Sequence, residues 1–225
     1  MTMNSHSKNI ALYMMGERAA VLQSRGVATL ACQRRIWSVA QQLHHAGGYI
    51  DIVPGMNNLT AIIDPQKRSA ADALHMLETF WHAAGAQEFP SRVVNIPVRY
   101  GGQSGPDLEF VAAHAGLTPE QVIELHSAAQ YVVYFLGFQP GFAYLGGLPE
   151  CLATPRRAEP RLSVPAGSVG IGGAQTGIYP SASPGGWQLI GRTDLCLFDP
   201  AAAAPTLLQP GDIIRFVAQL EHADD

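Results

Sequence analysis

Between residues 137 and 191 the chain places 12 of its 23 glycines and 7 of its 16 prolines, about half of each in about a quarter of its length. The run reads Leu136-Gly137-Phe138-Gln139-Pro140-Gly141-Phe142-Ala143-Tyr144-Leu145-Gly146-Gly147, resumes over 164–180, and closes with Ser183-Pro184-Gly185-Gly186-Trp187. A flexible linker with this much glycine lacks aromatic residues. This stretch keeps Phe138, Phe142, Tyr144, Tyr179 and Trp187, so an ordered segment is expected. Glycine reaches backbone angles closed to other residues and lets the main chain approach a ligand. Ordered aromatics beside such backbone point to a shaped surface for a small molecule or another protein chain.

Only 14% of the 225 residues are charged, against roughly 25% in soluble domains. Two readings stay open: a partner covers part of the surface, or the chain is a compact, alanine-rich enzyme. A net charge of -4 leaves no basic footprint for nucleic acid. No apolar run reaches the roughly 18 residues of a membrane span, and the first nine residues are polar, without a signal-peptide core. A cytoplasmic location is therefore expected. Cys32, Cys151 and Cys196 are too far apart for a zinc site or a disulfide framework, and read as buried, inert thiols.

Periodicity divides the chain near Gln87-Glu88-Phe89-Pro90, which predicts domains over 1–89 and 90–225. The first reads β-α-β-β-α: strands over 10–15, 49–53 and 59–63, with helices over 29–46 and 69–84. Pro54-Gly55 is expected to start the turn between the paired strands. The buried stripe of the second helix is Leu74, Leu77, Phe80 and Trp81. This order suggests a small α/β sandwich with both helices on one face of its sheet. The second domain opens with a strand over 92–100 and a helix over 106–114. A capping box, Thr118 with Gln121, and Pro119 at the first helical position start the next helix. Short strands with Gly/Pro turns follow, over 131–138, 187–198 and 212–217, as in a β-barrel or sandwich. The fold class is α+β.

Several chemistries are excluded by motif. There is no P-loop, no dinucleotide fingerprint, and Ala166 stands where a nucleophile elbow needs its first glycine. His44-His45 caps a helix end, and His75 and His82, seven apart, could share a helix face, but no metal site is expected. His126, just before the strand that enters the glycine-rich run, is open between a structural histidine and an acid, base or donor. Thr154-Pro155-Arg156-Arg157-Ala158-Glu159-Pro160-Arg161 holds 3 of the 14 basic residues in eight positions. It reads either as a solvated loop or as an anion site, since arginine pairs bidentately with carboxylate and phosphate. Asp107 and Glu109 are expected to support the N-terminus of their helix.

His126-Ser127, Leu136-Gly137-Phe138-x-Pro140-Gly141-Phe142, Thr154-Pro155-Arg156-Arg157, Val164-Pro165-Ala166-Gly167-Ser168-Val169-Gly170-Ile171, Gln175-Thr176-Gly177-x-Tyr179-Pro180 and Pro184-Gly185-Gly186-Trp187 resemble the allophanate hydrolase subunit 1, or KipI-like, family. Gln33-x-Arg35-Ile36-Trp37 and Ile52-Val53-Pro54-Gly55-Met56-Asn57-Asn58 extend the resemblance over nearly the whole chain. Ala143 departs from it, where family members often carry proline.

The resemblance implies a cyclophilin-like β-barrel behind a small α/β domain. It also implies a role in ATP-dependent 5-oxoprolinase, which turns 5-oxoproline into glutamate, with ATP (and magnesium) as co-substrate. The partners implied are the other two 5-oxoprolinase chains, the homologous, cyclophilin-like C subunit and the A subunit. His126 and Arg156 are then the expected catalytic residues. Phe142, Tyr144, Arg157, Pro165, Gly167, Gln175, Thr176, Tyr179, Gly185, Gly186 and Trp187 are the expected substrate- or nucleotide-binding set. Other roles in the same family are a component of an allophanate- or urea-type amide hydrolase or carboxyltransferase, and a histidine kinase inhibitor that works by contact. A prolyl isomerase finds no matching arginine and aromatic arrangement in this chain.

Overall fold

The computed structural model describes residues 9–85 and 91–219. The chain forms two compact units, Met1–Phe89 and Pro90–Asp225; the boundary expected at 87–90 itself lies outside the described residues.

The first unit contains β1 (Ile10–Met15), β2 (Ala19–Ser24), α1 (Leu30–Ala46), β3 (Tyr49–Gly55), β4 (Asn58–Ile63) and α2 (Ala70–Ala83). Its antiparallel sheet has the order β1-β2-β4-β3. The expected β-α-β-β-α order is therefore corrected by one added strand, β2. Ala19-Ala20-Val21-Leu22 is buried at every position because the strand is central, and a strand covered on both sides shows no apolar-polar alternation. Pro54 and Gly55 are still paired, opposite Leu59 and Asn58. The turn falls one step later, at Asn57, whose φ is +56°.

The helices start where their caps demand. Thr29 accepts from the Cys32 amide and Ser69 from the Asp72 amide, each satisfying a donor the helix leaves orphaned. Gly47, at φ +67°, ends α1. Ile36, Val39 and Leu43 of α1 and Leu77 and Trp81 of α2 share one core with Leu59, Ala61 and Ile63 of β4. On α2 the stripe is Ala73, Leu77 and Trp81; Leu74 and Phe80 are only half-buried.

The second unit contains β5 (Val93–Tyr100), α3 (Leu108–Ala115), α4 (Pro119–Ala128), β6 (Tyr131–Leu136), β7 (Ala143–Gly146), β8 (Arg161–Val164), β9 (Ser168–Gly172), β10 (Gln175–Ile178), β11 (Ser183–Gly185), β12 (Gln188–Arg192) and β13 (Ile213–Gln219). Seven of these strands close a barrel in the order β10-β7-β6-β13-β5-β12-β9, while β8 and β11 form a separate ribbon. The α+β fold with a barrel is thus observed. Ile96, Val98, Val133, Leu145, Ile171, Ile190, Ile214 and Phe216 fill its core. The capping box at Thr118 and Gln121 is present in both directions.

Two strands end earlier than their sequence suggests. β6 stops at Leu136 because Phe138 takes φ +66°, which no β-strand tolerates. β12 stops at Arg192, the last residue paired with β5, at Arg99, and with β9, at its first residue Ser168.

No helix among the described residues is long and apolar enough to cross a membrane. The cysteines are free, but Cys151 and Cys196 are exposed and Cys32 is half-buried; the expected burial does not hold.

Candidate functional site

His126 closes α4 and points into the barrel, where it is 0% exposed. Its ring lies 4.5 Å from that of Phe216 and 5.3 Å from that of Tyr131, centroid to centroid. Nδ1 is 2.7 Å from the Tyr100 hydroxyl and Nε2 is 3.0 Å from Thr176 Oγ1. The Thr176 hydroxyl gives its one proton to the Gly170 carbonyl at 3.0 Å. It must therefore accept from Nε2–H, which leaves Nδ1 to accept from Tyr100. The imidazole is neutral and satisfied on both sides.

Burial pushes the His126 pKa down from 6.5 to about 3 and holds the Tyr100 and Tyr131 phenols far above their ordinary value. His126 has no contact with solvent. In this structure His126 and Thr176 are fully buried and line neither of the pockets described below, and their hydrogen bonds are those of a core network.

This burial has a measurable consequence. The folded pKa of His126 lies below the unfolded one, so between about pH 6.5 and pH 3 the unfolded state binds the extra proton. The stabilisation is complete above pH 6.5 and is lost as pH falls, at about 1.4 kcal/mol per pH unit inside that window. Urea midpoints measured from pH 7 to pH 5 are expected to fall more steeply for this chain than for His126→Gln. Equal slopes would show that the histidine is not buried neutral.

The glycine-rich run builds a different feature. Phe142, Tyr179 and Trp187 pack with Val164 and Leu189 in an apolar cluster separate from the barrel core, and Tyr144 leans against it. The Phe142 ring meets Tyr144, Tyr179 and Trp187 edge to face, with centroids 5.0, 5.5 and 5.6 Å away, the geometry that the ring quadrupole favours. Glycine makes this possible by close approach. A Cβ on Gly172 would sit 2.4 Å from the Trp187 indole nitrogen, and one on Gly185 2.6 Å from the Tyr179 hydroxyl.

The rings form a cup of about 260 Å³, lipped by Phe138, Arg156, Pro160, Pro184, Gly185 and Gly186. Phe138 is 62% exposed and held at φ +66°, a region bulky residues rarely enter. Burial holds the Tyr179 phenol above its ordinary pKa, so it remains a donor.

Arg156 is the cation at this lip. Its guanidinium carbon lies 5.9 Å from the Trp187 ring centroid, and it has no carboxylate partner among the described residues. Its backbone is pinned on both sides. Thr154 pairs with Gly173 in both directions and the Arg157 amide donates to Gly186, while Gln188 Nε2 donates to the Pro155 carbonyl.

The neighbouring arginines are engaged. Arg161 Nη2 lies 2.8 Å and Arg157 Nη1 3.4 Å from Asp107 Oδ1, and Asp107 Oδ2 accepts from the Leu189 amide. The sequence places Asp107 at a helix N-terminus, and it does stand at the cap position, but it makes no side-chain cap bond. Its carboxylate is turned to the arginines instead.

Beyond Arg156 a second, more open groove of about 570 Å³ runs past Phe110, Pro155, Arg157, Ala158 and Glu159 to Asp107 and Gln188. Phe142, Tyr144, Arg156, Arg157, Tyr179, Gly185, Gly186 and Trp187 are thus brought together around these two pockets. Pro165, Gly167, Gln175 and Thr176 are not. Pro165 is exposed in the turn before β9, and Gly167 uses its amide on Tyr179 and its carbonyl on Thr193. Gln175 is half-buried, with Nε2 lacking an acceptor among the described residues. Sequence reasoning missed Phe110, whose helical neighbourhood carries no sign of a groove. It also left out Phe138, although that residue stands inside the glycine-rich run.

The carboxyltransferase domain family, subdomain C and D, matches residues 10–208. The chain is 59% identical over 209 residues to the B subunit of 5-oxoprolinase from Escherichia coli O157:H7, covering 93% of this chain and 96% of that one. It is 50% identical to the B subunit of 5-oxoprolinase from Haemophilus influenzae, covering 91% and 96%. Among solved structures it resembles TTHA0988, with a TM-score of 0.78 and 38% identity over 90% of this chain. It spans only 40% of that longer protein.

Proposed function

The chain belongs to the family of 5-oxoprolinase B subunits, and from that premise we propose that it is one component of an ATP-dependent enzyme that opens 5-oxoproline to glutamate. In this reading it works in the cytoplasm with the C and A subunits of that enzyme and is inactive alone. The observation that carries the chemistry is Arg156, an exposed guanidinium on a pinned backbone, without a carboxylate partner among the described residues, at the lip of an aromatic cup.

A five-membered lactam is unstrained and its amide is resonance-stabilised, so water alone attacks it slowly. Phosphorylation removes that obstacle. The terminal P–O bond of ATP breaks with its electron pair remaining on ADP, and the lactam oxygen forms the new O–P bond. One water adds to the activated carbon and the ring C–N bond opens, leaving an acyl phosphate. A second water releases phosphate and glutamate. One water accounts for the amide and one for ATP.

Catalysis of phosphoryl transfer is mainly positioning and charge stabilisation. A planar guanidinium bridges two phosphate oxygens, and Arg156 has its full charge available because Asp107 holds Arg157 and Arg161. Among the described residues no three histidine, cysteine or carboxylate groups cluster as a metal cage. Magnesium would arrive on the nucleotide, where phosphate and water supply most of its ligands.

The test is 5-oxoproline-dependent ATP hydrolysis with glutamate release, run on the chain alone and then with candidate A and C subunits. Turnover confined to the full mixture is the expected result. Its absence from a mixture shown to assemble would overturn the reading and direct attention to urea-type amides.

A further inference from the structure

The cup and the groove share Arg156 but differ in size and chemistry. We propose, on the 5-oxoprolinase reading, that they divide the two substrates. The lactam ring enters the aromatic cup, and the nucleotide lies in the groove with its purine against Phe110 and its phosphates toward Arg157 and Arg156.

Size separates them first. At about 260 Å³ the cup is below the roughly 300–1,000 Å³ of pockets for drug-sized ligands. A purine, a ribose and three phosphates do not fit it, whereas a small ring with one carboxylate does. The groove, at about 570 Å³, lies well inside that range.

Chemistry separates them again. The cup is walled by ring faces and edges with a single cation at its lip, matching an apolar ring that carries one negative charge. The groove has one arginine with its charge free, Arg156, a second, Arg157, that shares its charge with Asp107, and one exposed aromatic face. Its acidic floor does not repel phosphate, because Asp107 is held by Arg157 and Arg161 and by the Leu189 amide.

Phe110 is one of the large apolar residues that the fold leaves exposed. α3 buries Leu108, Val111 and Ala112, while Phe110 stays 53% exposed. Its ring lies nearly parallel to that of His114, at 11°, and it lines the groove. A flat, solvated aromatic in a groove that also holds arginine is how proteins hold a nucleobase and its phosphates without reading sequence.

With the two ligands so placed, the terminal phosphoryl group and the lactam oxygen meet at Arg156. The P–O bond to ADP breaks and the bond to the lactam oxygen forms across the one arginine both pockets share.

The experiment uses the full complex of this chain with the A and C subunits, and measures KM for MgATP and for 5-oxoproline separately. Phe110→Ala is expected to raise KM for MgATP roughly 10-fold and leave KM for 5-oxoproline unchanged. Phe138→Ala is expected to raise KM for 5-oxoproline roughly 3- to 10-fold and leave KM for MgATP unchanged. Both side chains are exposed, so neither variant threatens folding, and thermal unfolding checks this. If each variant moves both constants together, or Phe110→Ala leaves KM for MgATP within about twofold, the division is overturned while the 5-oxoprolinase reading survives. If the unmodified complex does not turn over, that reading fails and this inference falls with it.

Discussion

Replacing Arg156 by alanine is expected to lower kcat of the assembled enzyme by about 10²- to 10³-fold. The magnitude is that of removing one preorganised donor aimed at developing charge. Preorganisation is visible around the residue: the main chain is bonded at Thr154, Pro155 and Arg157, so the guanidinium is presented from a fixed base. Stability should hardly change. Arg156 is exposed and lacks a carboxylate partner among the described residues, and surface substitutions of this kind stay within about 0.5 kcal/mol. Arg156→Lys keeps the charge but loses the planar fork, so it should recover only part of the rate. Steady-state kinetics of the three proteins, with matched unfolding curves, make the comparison. Unchanged turnover in Arg156→Ala would remove the residue from the mechanism.

The second large effect is on folding. Gly167 takes φ +80°, and a Cβ there would lie 2.0 Å from the Thr193 carbonyl oxygen. That carbonyl cannot yield alone. The Gly167 amide donates to Tyr179 at 2.7 Å and its carbonyl accepts from the Thr193 amide at 2.9 Å, so the strand entering β9 and the chain leaving β12 would part together. Gly167→Ala is expected to destabilise the protein by about 4 kcal/mol or more, read as a loss of folded protein in chemical denaturation. Gly173→Ala is the control. Its φ of +66° is also left-handed, but no atom lies within 4 Å of the added Cβ, so it should cost only about 1–2 kcal/mol. Equal costs at the two sites would mean that backbone conformation, not the clash, controls stability.

The two pockets also bear on the low charge content of the chain. Several of its few arginines are drawn into one patch, and only a buried aspartate decides which of them retains free charge.

Some elements were legible because their causes are local. α1 and α2 follow from apolar residues at helical spacing behind Thr29 and Ser69, and α4 from its capping box. Short strands between Gly/Pro turns left a barrel or a sandwich open, and only the family resemblance pointed to the barrel. β2 was not, since Ala19 to Leu22 is apolar at every position and a central strand needs no alternation. The cup was half-legible: aromatics among glycines implied order, but not which rings meet.

The functional assignments depended on distance along the chain. His126 could be read as catalytic or structural until Tyr100, 26 residues before it, and Thr176, 50 residues after it, closed on its ring. Arg156, Arg157 and Arg161 look alike in sequence; Asp107, 50 and 54 residues from the last two, engages them and leaves the first.

The sequence by itself therefore determined the helices, the turns and the glycine-aromatic pairing from which the barrel unit is built, because bonded neighbours set periodicity, capping and backbone angles. Only the tertiary structure decided that His126 stays neutral and that Arg156 keeps its charge, because desolvation and charge pairing act through space between residues the chain keeps far apart.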